Sequence, residues 1–394
     1  MPIKVLHIIE PLLGGTKTHI LQILDGLPRP DFQQALICSV ERDPSFMHEV
    51  ERLRAEGVLV RVVPMKRNPA LVPDFRAFIR IYRFLSHHRY DVVHTHSSKA
   101  GLVGRLAAFL ARARRIAHTP HVFSFTQPAP QYRKAVYRLG DTLLGAFTDR
   151  LIAVSSWQRS LALGYGIGSK DSVALIHNGV TVDRPGRAAS DAEGRLRVRD
   201  ELGAKPDDIL VGTAGRLTLQ KGQKYLLEAA AILLDRYPTL RFYIVGSGEL
   251  EAQLRGMIHH LSWCRQRISF LPERADFTAL LAATDIFVMP SLWEGMPYAL
   301  LEAMAAERPV ICANVCGLDE VVKDGENGLL IPPADSRALA AAIARLVTDR
   351  PLRLRLATAA RKTVQERFRL GEKLEMLAQL YRDLAAPKIT RGGS

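Results

Sequence analysis

The chain has 394 residues, 47% of them apolar and 24% charged, and a formal net charge of +14. Its length exceeds what one hydrophobic core usually supports, so two domains are expected, and its composition excludes a disordered or fibrous protein. It shows no apolar run of about 18 residues and no signal-peptide pattern, so we expect a cytoplasmic protein. Its cysteines match no metal or redox motif and are expected to be reduced; they are Cys38, Cys264, Cys312 and Cys316.

The positive charge is concentrated in the first half. Residues 1–190 hold 26 Lys and Arg against 14 Asp and Glu, whereas residues 191–394 hold 28 against 26. Two blocks, 76–89 and 105–115, mix Arg with large apolar side chains, which suits either nucleic acid or an anionic membrane surface. A solvated helix face opposite a core face explains either block equally well. Because no nucleic-acid-binding motif accompanies them, nucleic acid is not an expected partner.

In the first half, short apolar runs alternate with helical patterns. The runs are KVLHII (4–9), QQALICSV (33–40), VLVRVVPM (58–65), DVVHTHS (91–97), RIAHTPH (115–121) and RLIAVSS (150–156). Such alternation predicts a parallel sheet covered by helices on both faces.

A segment rich in charge, Gly and Pro, 183–207, interrupts the alternation and is the candidate linker. The pattern then restarts with ILVGTAG (209–215), LRFYIVGSG (240–248), ISFLP (268–272), IFVMPS (286–291), PVICAN (309–314) and GLLIPP (328–333). We therefore predict an α/β protein with two Rossmann-like doubly wound domains, 1–185 and 208–370, joined by a linker region at 186–207. Ligands of such sheets bind at the carboxyl ends of the strands, in a cleft.

Two cations follow the first strand of the second half. Arg216 and Lys221 lie in the turn or at the start of the next helix. Cations beside a helix start, where free N–H groups point outward, suit a phosphate or diphosphate. Solvated turn residues are the alternative interpretation.

The stretch SLWEGMPYALLEAM (291–304) places two carboxylates in an apolar run. Glu294 lies in the predicted turn, Pro297 early in the predicted helix, and Glu302 further along it. Carboxylates accept hydrogen bonds from the vicinal hydroxyls of a sugar or ribose, and the free N–H groups near Tyr298, Ala299 and Leu300 suit diphosphate oxygens. The alternative interpretation makes Glu294 a favourable charge at a helix N-terminus and Glu302 a partly exposed helix residue. It accounts for Glu294 but accounts poorly for Glu302, which is set among apolar residues.

Near the start, Gly14 and Gly15 follow the first strand, where glycines let the backbone approach a ligand. His121 follows a later strand and either hydrogen-bonds a reacting sugar or phosphate or is a plain polar loop residue. The sequence lacks G-x-G-x-x-G, a P-loop and an Asp-x-Asp pair, so neither a dinucleotide fold nor a chelated metal is predicted.

Taken together, these motifs resemble family 4 glycosyltransferases of the GT-B type. The resemblance runs nearly end to end, through GGTKTH, TPHVFSF, HNGV, GRLTLQKG, VGSGEL, DIFVMPSLWEGMPYALLEAMAAERPVI and KDGENGLLIPP. It implies that Glu294 contacts the transferred sugar and Glu302 the ribose, while Arg216 and Lys221 neutralise the diphosphate. It also implies that His121 lies near the anomeric centre and that Gly15 approaches the phosphates.

The resemblance thus yields two sets of predicted site residues. The catalytic residues are His121 and Glu294. The donor-binding residues are Gly14, Gly15, Arg216, Lys221, Glu294, Met296, Pro297, Tyr298, Ala299, Leu300 and Glu302. It further implies that the C-terminal helix, 371–386, packs back on the first domain.

The implied activity is transfer of a hexose, with retention, from a UDP or GDP sugar. The implied acceptor is a saccharide or lipid-linked saccharide of bacterial cell-surface glycan biosynthesis. No metal or other cofactor is expected, and an anionic membrane is a possible partner at the inner face of the cytoplasmic membrane. The alternatives are a nucleotide-sugar epimerase of the same architecture and a non-catalytic protein that binds sugar nucleotides.

Overall fold

The computed structural model describes residues 1–66, 69–182, 188–259 and 265–387. The chain divides into two compact units, Met1–His177 with Gly371–Ser394, and Asn178–Leu370. Within the described residues Cys38, Cys312 and Cys316 are free thiols, and Cys264 lies outside them.

The first unit is built on a seven-stranded sheet, in which all pairs of neighbours are parallel. Its strands are Ile3–Ile9 (β1), Phe32–Cys38 (β2), Leu59–Val62 (β3), Val92–His96 (β4), Ile116–Thr119 (β5), Arg150–Ala153 (β6) and Val173–Leu175 (β7). The helices are Gly15–Gly26 (α1), Met47–Ala55 (α2), Leu71–His87 (α3), Ser98–Leu110 (α4), Gln131–Gly145 (α5) and Ser156–Gly164 (α6).

Alternate side chains of β1 enter different cores, as expected for a strand buried on both faces. Leu6 and Ile8 pack with α3 and α4 on one face, and Val5 packs on the other with α1 and the C-terminal helix. Helices therefore cover both sides of the sheet.

The second unit has a six-stranded parallel sheet. Its elements are Ala188–Glu201 (α7), Ile209–Ala214 (β8), Gln223–Leu233 (α8), Leu240–Val245 (β9), Glu251–His259 (α9), Ile268–Leu271 (β10), Phe277–Ala283 (α10), Ile286–Met289 (β11), Tyr298–Ala305 (α11), Val310–Ala313 (β12), Leu329–Ile331 (β13), Ser336–Thr348 (α12) and Arg350–Arg367 (α13). The helix Leu370–Ala385 (α14) is the last helix of the described chain.

The predicted fold class is confirmed by these two doubly wound parallel sheets. The strand orders are β3-β2-β1-β4-β5-β6-β7 and β10-β9-β8-β11-β12-β13. The order reverses between β1 and β4 in the first sheet and between β8 and β11 in the second. Ligands of open α/β sheets bind beyond the carboxyl ends of the strands at such reversals.

The segment predicted as a linker differs from the expectation. Residues 183–187 lie outside the described residues, but the remainder contains α7, which packs against α10. Arg199 is buried and donates to the carbonyls of Ala283 and Asp208 and to the Asp285 carboxylate. A buried arginine with these partners holds the helix in place, and apolar periodicity does not reveal such an anchor. The structural division falls instead between His177 and Asn178.

The C-terminal helix α14 belongs to the core of the first unit. Leu377, Leu380 and Leu384 are buried beside Val5 of β1. Tyr381 is fully buried, and its hydroxyl lies 2.6 Å from Nδ1 of His94. The last helix thus completes one face of the N-terminal sheet.

Candidate active site

The loop after β8 carries the first predicted cations. Arg216 lies two residues beyond the strand and is half-buried, and its backbone carbonyl accepts a 3.0 Å bond from Nε2 of Gln223. Lys221 ends a short 3-10 turn, Leu219–Lys221. Gly222 then opens α8 with a φ of 64°, and a side chain there would overlap the carbonyl of Pro290. Only glycine therefore fits where this loop meets the loop after β11.

Glu294 is buried in the loop after β11, with 5% of its side chain exposed. Nζ of Lys221 donates to its Oε1 at 2.6 Å, and Oγ of Ser291 donates to the same oxygen at 2.7 Å. A buried carboxylate needs such partners because desolvation penalises an isolated charge. Residues from the ends of the neighbouring strands β8 and β11 thus meet in one ion pair.

Backbone contacts hold the same two loops together. The backbone N–H of Leu292 donates to the carbonyl of Gln220 at 2.7 Å, and the Gln220 side chain donates to the carbonyl of Trp293 at 3.0 Å. Gly317, after β12, abuts the backbone of Glu294 and Gly295 so closely that a side chain would overlap it. The ends of three adjacent strands therefore support the Glu294 loop.

The helix α11 begins directly after this loop. Pro297 is its N-cap residue and Tyr298 its first residue, and within the described residues no side chain caps it. The first N–H groups of a helix lack intrahelical partners and carry partial positive charge. Nδ2 of Asn178 donates to the carbonyl of Met296 at 2.7 Å, which ties down the approach to the helix. Ala299 and Leu300 complete the first turn.

Glu302 is the fifth residue of α11, within its apolar part. Burial raises the pKa of its carboxyl group from 4.5 to about 7, because the charged form loses solvation. The group therefore titrates near neutral pH.

The first unit places its predicted residues beside β1 and β5. Gly14 is the N-cap residue of α1 and Gly15 its first residue, and both are exposed. His121 lies two residues beyond β5 with a φ of 58°, an uncommon conformation for a residue with a side chain. Its carbonyl accepts a hydrogen bond from Gln158, and burial holds the pKa of its imidazole well below 6.5.

Sequence reasoning missed five further histidines near His121. They are His7 on β1, His19 on α1, His94 and His96 on β4, and His118 on β5. The rings of His19 and His121 lie 4.6 Å apart, and those of His94 and His96 lie 4.0 Å apart. The sequence signal that could have predicted this cluster was the occurrence of histidines near the carboxyl ends of three adjacent strands. Ser291 and Gly317 of the second unit were also missed.

Comparisons with known proteins agree with this architecture. Residues 13–184 match the family model described as Glycosyltransferase Family 4, and residues 195–363 match that described as Glycosyl transferases group 1. The chain is 31% identical over 389 residues to the UDP-Gal:alpha-D-GlcNAc-diphosphoundecaprenol alpha-1,3-galactosyltransferase of Escherichia coli, covering 98% of each chain. It is also 31% identical to the putative glycosyltransferase EpsD of Bacillus subtilis, covering 81% of this chain and 83% of that one.

Solved structures show the same fold. The complex of Anabaena HepE with UDP-glucose has a TM-score of 0.81 at 24% identity, covering 97% of this chain and 100% of that one. WaaG, a glycosyltransferase involved in lipopolysaccharide biosynthesis, has a TM-score of 0.76 at 18% identity, covering 99% and 100%.

Two doubly wound units with these neighbours define the GT-B class. The chain belongs to glycosyltransferase family 4, so it is a glycosyltransferase, and the predicted family is confirmed. The individual roles predicted for the site residues stay predictions.

Proposed function

We propose that the protein transfers a hexose from a UDP sugar to a lipid-diphosphate-linked saccharide, with retention and without a metal ion. The observation that carries this proposal is the pairing of Lys221 with buried Glu294 directly before the uncapped N-terminus of α11. A cation and the N–H groups at a helix start suit a diphosphate, and the carboxylate beside them suits sugar hydroxyls.

The reaction develops charge where these groups lie. As the anomeric carbon–oxygen bond breaks, negative charge grows on the β-phosphate. Lys221, Arg216 and the start of α11 stabilise the transition state, in which this charge has developed, more strongly than they stabilise the ground state. The barrier is therefore lowered. The leaving phosphate takes the proton of the attacking acceptor hydroxyl, so no separate general base is required. The roles implied by family resemblance for His121, Gly14 and Gly15 stay predictions.

The substrate classes come from the relatives. The Escherichia coli relative, which matches along nearly the whole chain, is named for UDP-galactose and a diphosphoundecaprenol-linked GlcNAc. We extend the chemical classes to this protein, a UDP-hexose and a saccharide on a lipid diphosphate, and place its work at the cytoplasmic face of a membrane.

A transfer assay tests the proposal. The full chain is incubated with UDP-galactose or UDP-glucose, with a GlcNAc-diphosphate lipid acceptor, and with EDTA. We expect a product heavier by one hexose, with an α-anomeric coupling in its NMR spectrum. Conversion of the donor sugar to its epimer without transfer would support the epimerase alternative. Donor binding without either product would support the non-catalytic one.

Donor affinity is expected to depend on pH through Glu302. Ribose hydroxyls donate to the ionised carboxylate, whose pKa is about 7. The donor therefore binds the ionised form better, and protonation weakens binding as the pH falls. We expect the Kd of UDP-glucose to rise about tenfold between pH 8 and pH 6, measured by calorimetry. UDP-glucose is the suitable ligand because, unlike UDP, it has no terminal phosphate that titrates in this range.

The matched control is Glu302→Gln, which keeps the size of the side chain and removes its ionisation. This variant is expected to bind more weakly at pH 8 and to show a flat profile. An unchanged slope in Glu302→Gln would assign the pH dependence to another group.

An exposed apolar surface in the first unit supports docking on a membrane. On α5, Tyr132, Val136, Leu139 and Leu143 recur at helical spacing and are each 59–65% exposed. A second stripe runs along the neighbouring α4, through Leu102, Leu106, Phe109 and Leu110, and the ring of Phe109 packs on Phe147 just beyond α5. Contiguous apolar surface of this kind marks an interaction site.

Cations accompany this surface, which suits an anionic lipid face. Arg133 and Arg138 are exposed on α5, beside its apolar stripe. No helix in the described part of the chain is long and apolar enough to cross a bilayer. We propose that α4 and α5 hold the enzyme on the membrane that carries its lipid-linked acceptor.

The sequence blocks expected to supply the membrane surface contribute differently. In block 76–89, Ile81 and Leu85 are buried and Phe84 is half-buried, whereas the arginines are exposed, so this block is a solvated helix face opposite a core face. In block 105–115, Arg105 is fully buried and paired with Asp141 at 2.9 Å. The exposed apolar residues of that block, Leu106, Phe109 and Leu110, belong to the α4–α5 surface.

A further inference from the structure

Three histidines of the first unit surround one point near the carboxyl ends of β4 and β5. His96 ends β4, His121 follows β5, and His19 faces them from α1. Their ring centroids lie 4.6 Å apart for His19 and His121, 5.5 Å for His19 and His96, and 5.8 Å for His96 and His121. One ring nitrogen from each lies within 4.8 Å of the others. Three imidazoles therefore converge.

Two of these rings present a buried nitrogen that lacks a partner. Within the described residues, Nδ1 of His96 and Nε2 of His121 are shielded from solvent and accept no hydrogen bond. Leaving a buried polar atom unsatisfied is destabilising, so these atoms favour a ligand. His96 itself is fully buried.

The second nitrogen of His96 is held in place. Its Nε2 lies 3.2 Å from Nδ1 of His7. A hydrogen bond on the far side of the ring is the usual support of a metal-binding histidine, because it fixes the tautomer and the ring orientation. Burial also holds the pKa values of His96 and His121 well below 6.5, so both imidazoles are neutral, the form that binds metals.

A neighbouring trio is less suitable. His7, His94 and His96 also bring one nitrogen each within 4.8 Å. Both nitrogens of His94 are occupied, by the Tyr381 hydroxyl at 2.6 Å and by Oγ1 of Thr119 at 2.9 Å. A metal there would break an existing bond, so the trio containing His19 and His121 is favoured.

We propose that His19, His96 and His121 bind one zinc ion, and that the bound ion inhibits transfer. Three imidazole nitrogens form a zinc site with one position left open, whereas magnesium and manganese prefer oxygen ligands. The inhibition rests on the proposed function, because a ligated His121 cannot contact the sugar. The binding does not rest on it.

Metal titration tests the binding. The full chain is freed of metal with a chelator, and Zn²⁺ is titrated by calorimetry without any nucleotide. Co²⁺ is used in parallel as a spectroscopic probe, since tetrahedral histidine coordination gives strong visible bands. We expect one ion per chain with a Kd of about 1 µM or tighter. Binding weaker than about 100 µM, or no visible Co²⁺ bands, would overturn the proposal.

Variants assign the ligands. His19→Gln lies on a half-buried helix position and is expected to keep the fold, checked by thermal melting in chelator. Removing a supporting partner of a metal ligand lowers metal affinity about 10- to 100-fold, and removing a ligand itself should lower it further. We therefore expect His19→Gln to lose about 100-fold or more in zinc affinity. His118→Gln, from the same cluster but outside the trio, and exposed His87→Gln are the matched controls. Unchanged affinity in His19→Gln would overturn the assignment.

The inhibition is measured separately. Zn²⁺ should reduce hexose transfer by the wild-type chain, and the loss should be reversed by chelator and much smaller in His19→Gln. Binding without inhibition would overturn the inhibitory part alone. If no UDP sugar bound the chain in any buffer, the proposed function would fail while the zinc titration kept its meaning.

Discussion

Replacing Lys221 with methionine is expected to lower kcat by about 10²–10³ while leaving a folded protein. Methionine keeps most of the length and the apolar character of the lysine stem, and it removes the charge that stabilises the leaving diphosphate. Because the charge on the β-phosphate grows in the transition state, the loss should fall on kcat and kcat/KM together. Steady-state transfer from UDP-hexose measures it.

The ion pair with Glu294 complicates this substitution. Lys221 and Glu294 expose 18% and 5% of their side chains, so the single change leaves a largely buried carboxylate without its cation. Such a loss destabilises a fold by about 3–5 kcal/mol when the pair is fully buried. Thermal melting of Lys221→Met beside Lys221→Met with Glu294→Gln separates stability from catalysis, because only the single variant retains an uncompensated charge.

The matched control is Lys224→Met, three residues further along the chain on α8. Lys224 is 55% exposed and pairs with Glu228, one turn away on the same helix, at 3.5 Å. The Lys224→Met variant should retain the wild-type turnover rate. If Lys221→Met stayed within a factor of about two of the wild-type rate, the role of Lys221 as phosphate ligand would be wrong.

Placing aspartates at Leu139 and Leu143 is expected to reduce binding to anionic vesicles by about 100-fold or more. Each of these side chains is 59% exposed on α5. An apolar side chain gains about 1.5–3 kcal/mol when it leaves water, so removing two costs at least about 3 kcal/mol of binding. Flotation with vesicles containing phosphatidylglycerol measures the bound fraction at increasing lipid.

The control places aspartates at Ile232 and Leu354 of the second unit. These residues are similarly exposed, at 50% and 55%, but lie on α8 and α13. The aspartate substitutions at these two positions should leave vesicle binding unchanged. The α5 variant should keep its thermal stability and its activity on a water-soluble acceptor. Wild-type protein that stayed unbound at low salt would remove the membrane proposal.

Much of the fold could be read from local patterns. All strands of the two described sheets except β7 were predicted to within a few residues, because parallel strands buried on both faces appear as short continuous apolar runs. The strand β7, Val173–Leu175, has only three residues and was missed. The helix α7 was not predicted, because its charged composition hides the anchoring residue Arg199. Two of its partners, Ala283 and Asp285, lie far away in sequence. A buried polar contact of this kind has no local signature.

The sequence by itself determined the two doubly wound sheets, the family, the positions of Glu294, Arg216 and Lys221 beside strand ends, and the position of Glu302 on the helix that follows. Those features depend on apolar periodicity and on motifs of contiguous residues. Only the tertiary structure decided that Lys221 is paired with Glu294, that burial raises the pKa of Glu302, and that α5 exposes an apolar stripe. Only the tertiary structure showed that His19, His96 and His121 lie close together. They belong to separate elements, and His96 and His121 meet because β4 and β5 are neighbours in the sheet. Pairing, burial and exposure depend on which elements pack together, and that packing is set by contacts distant in sequence.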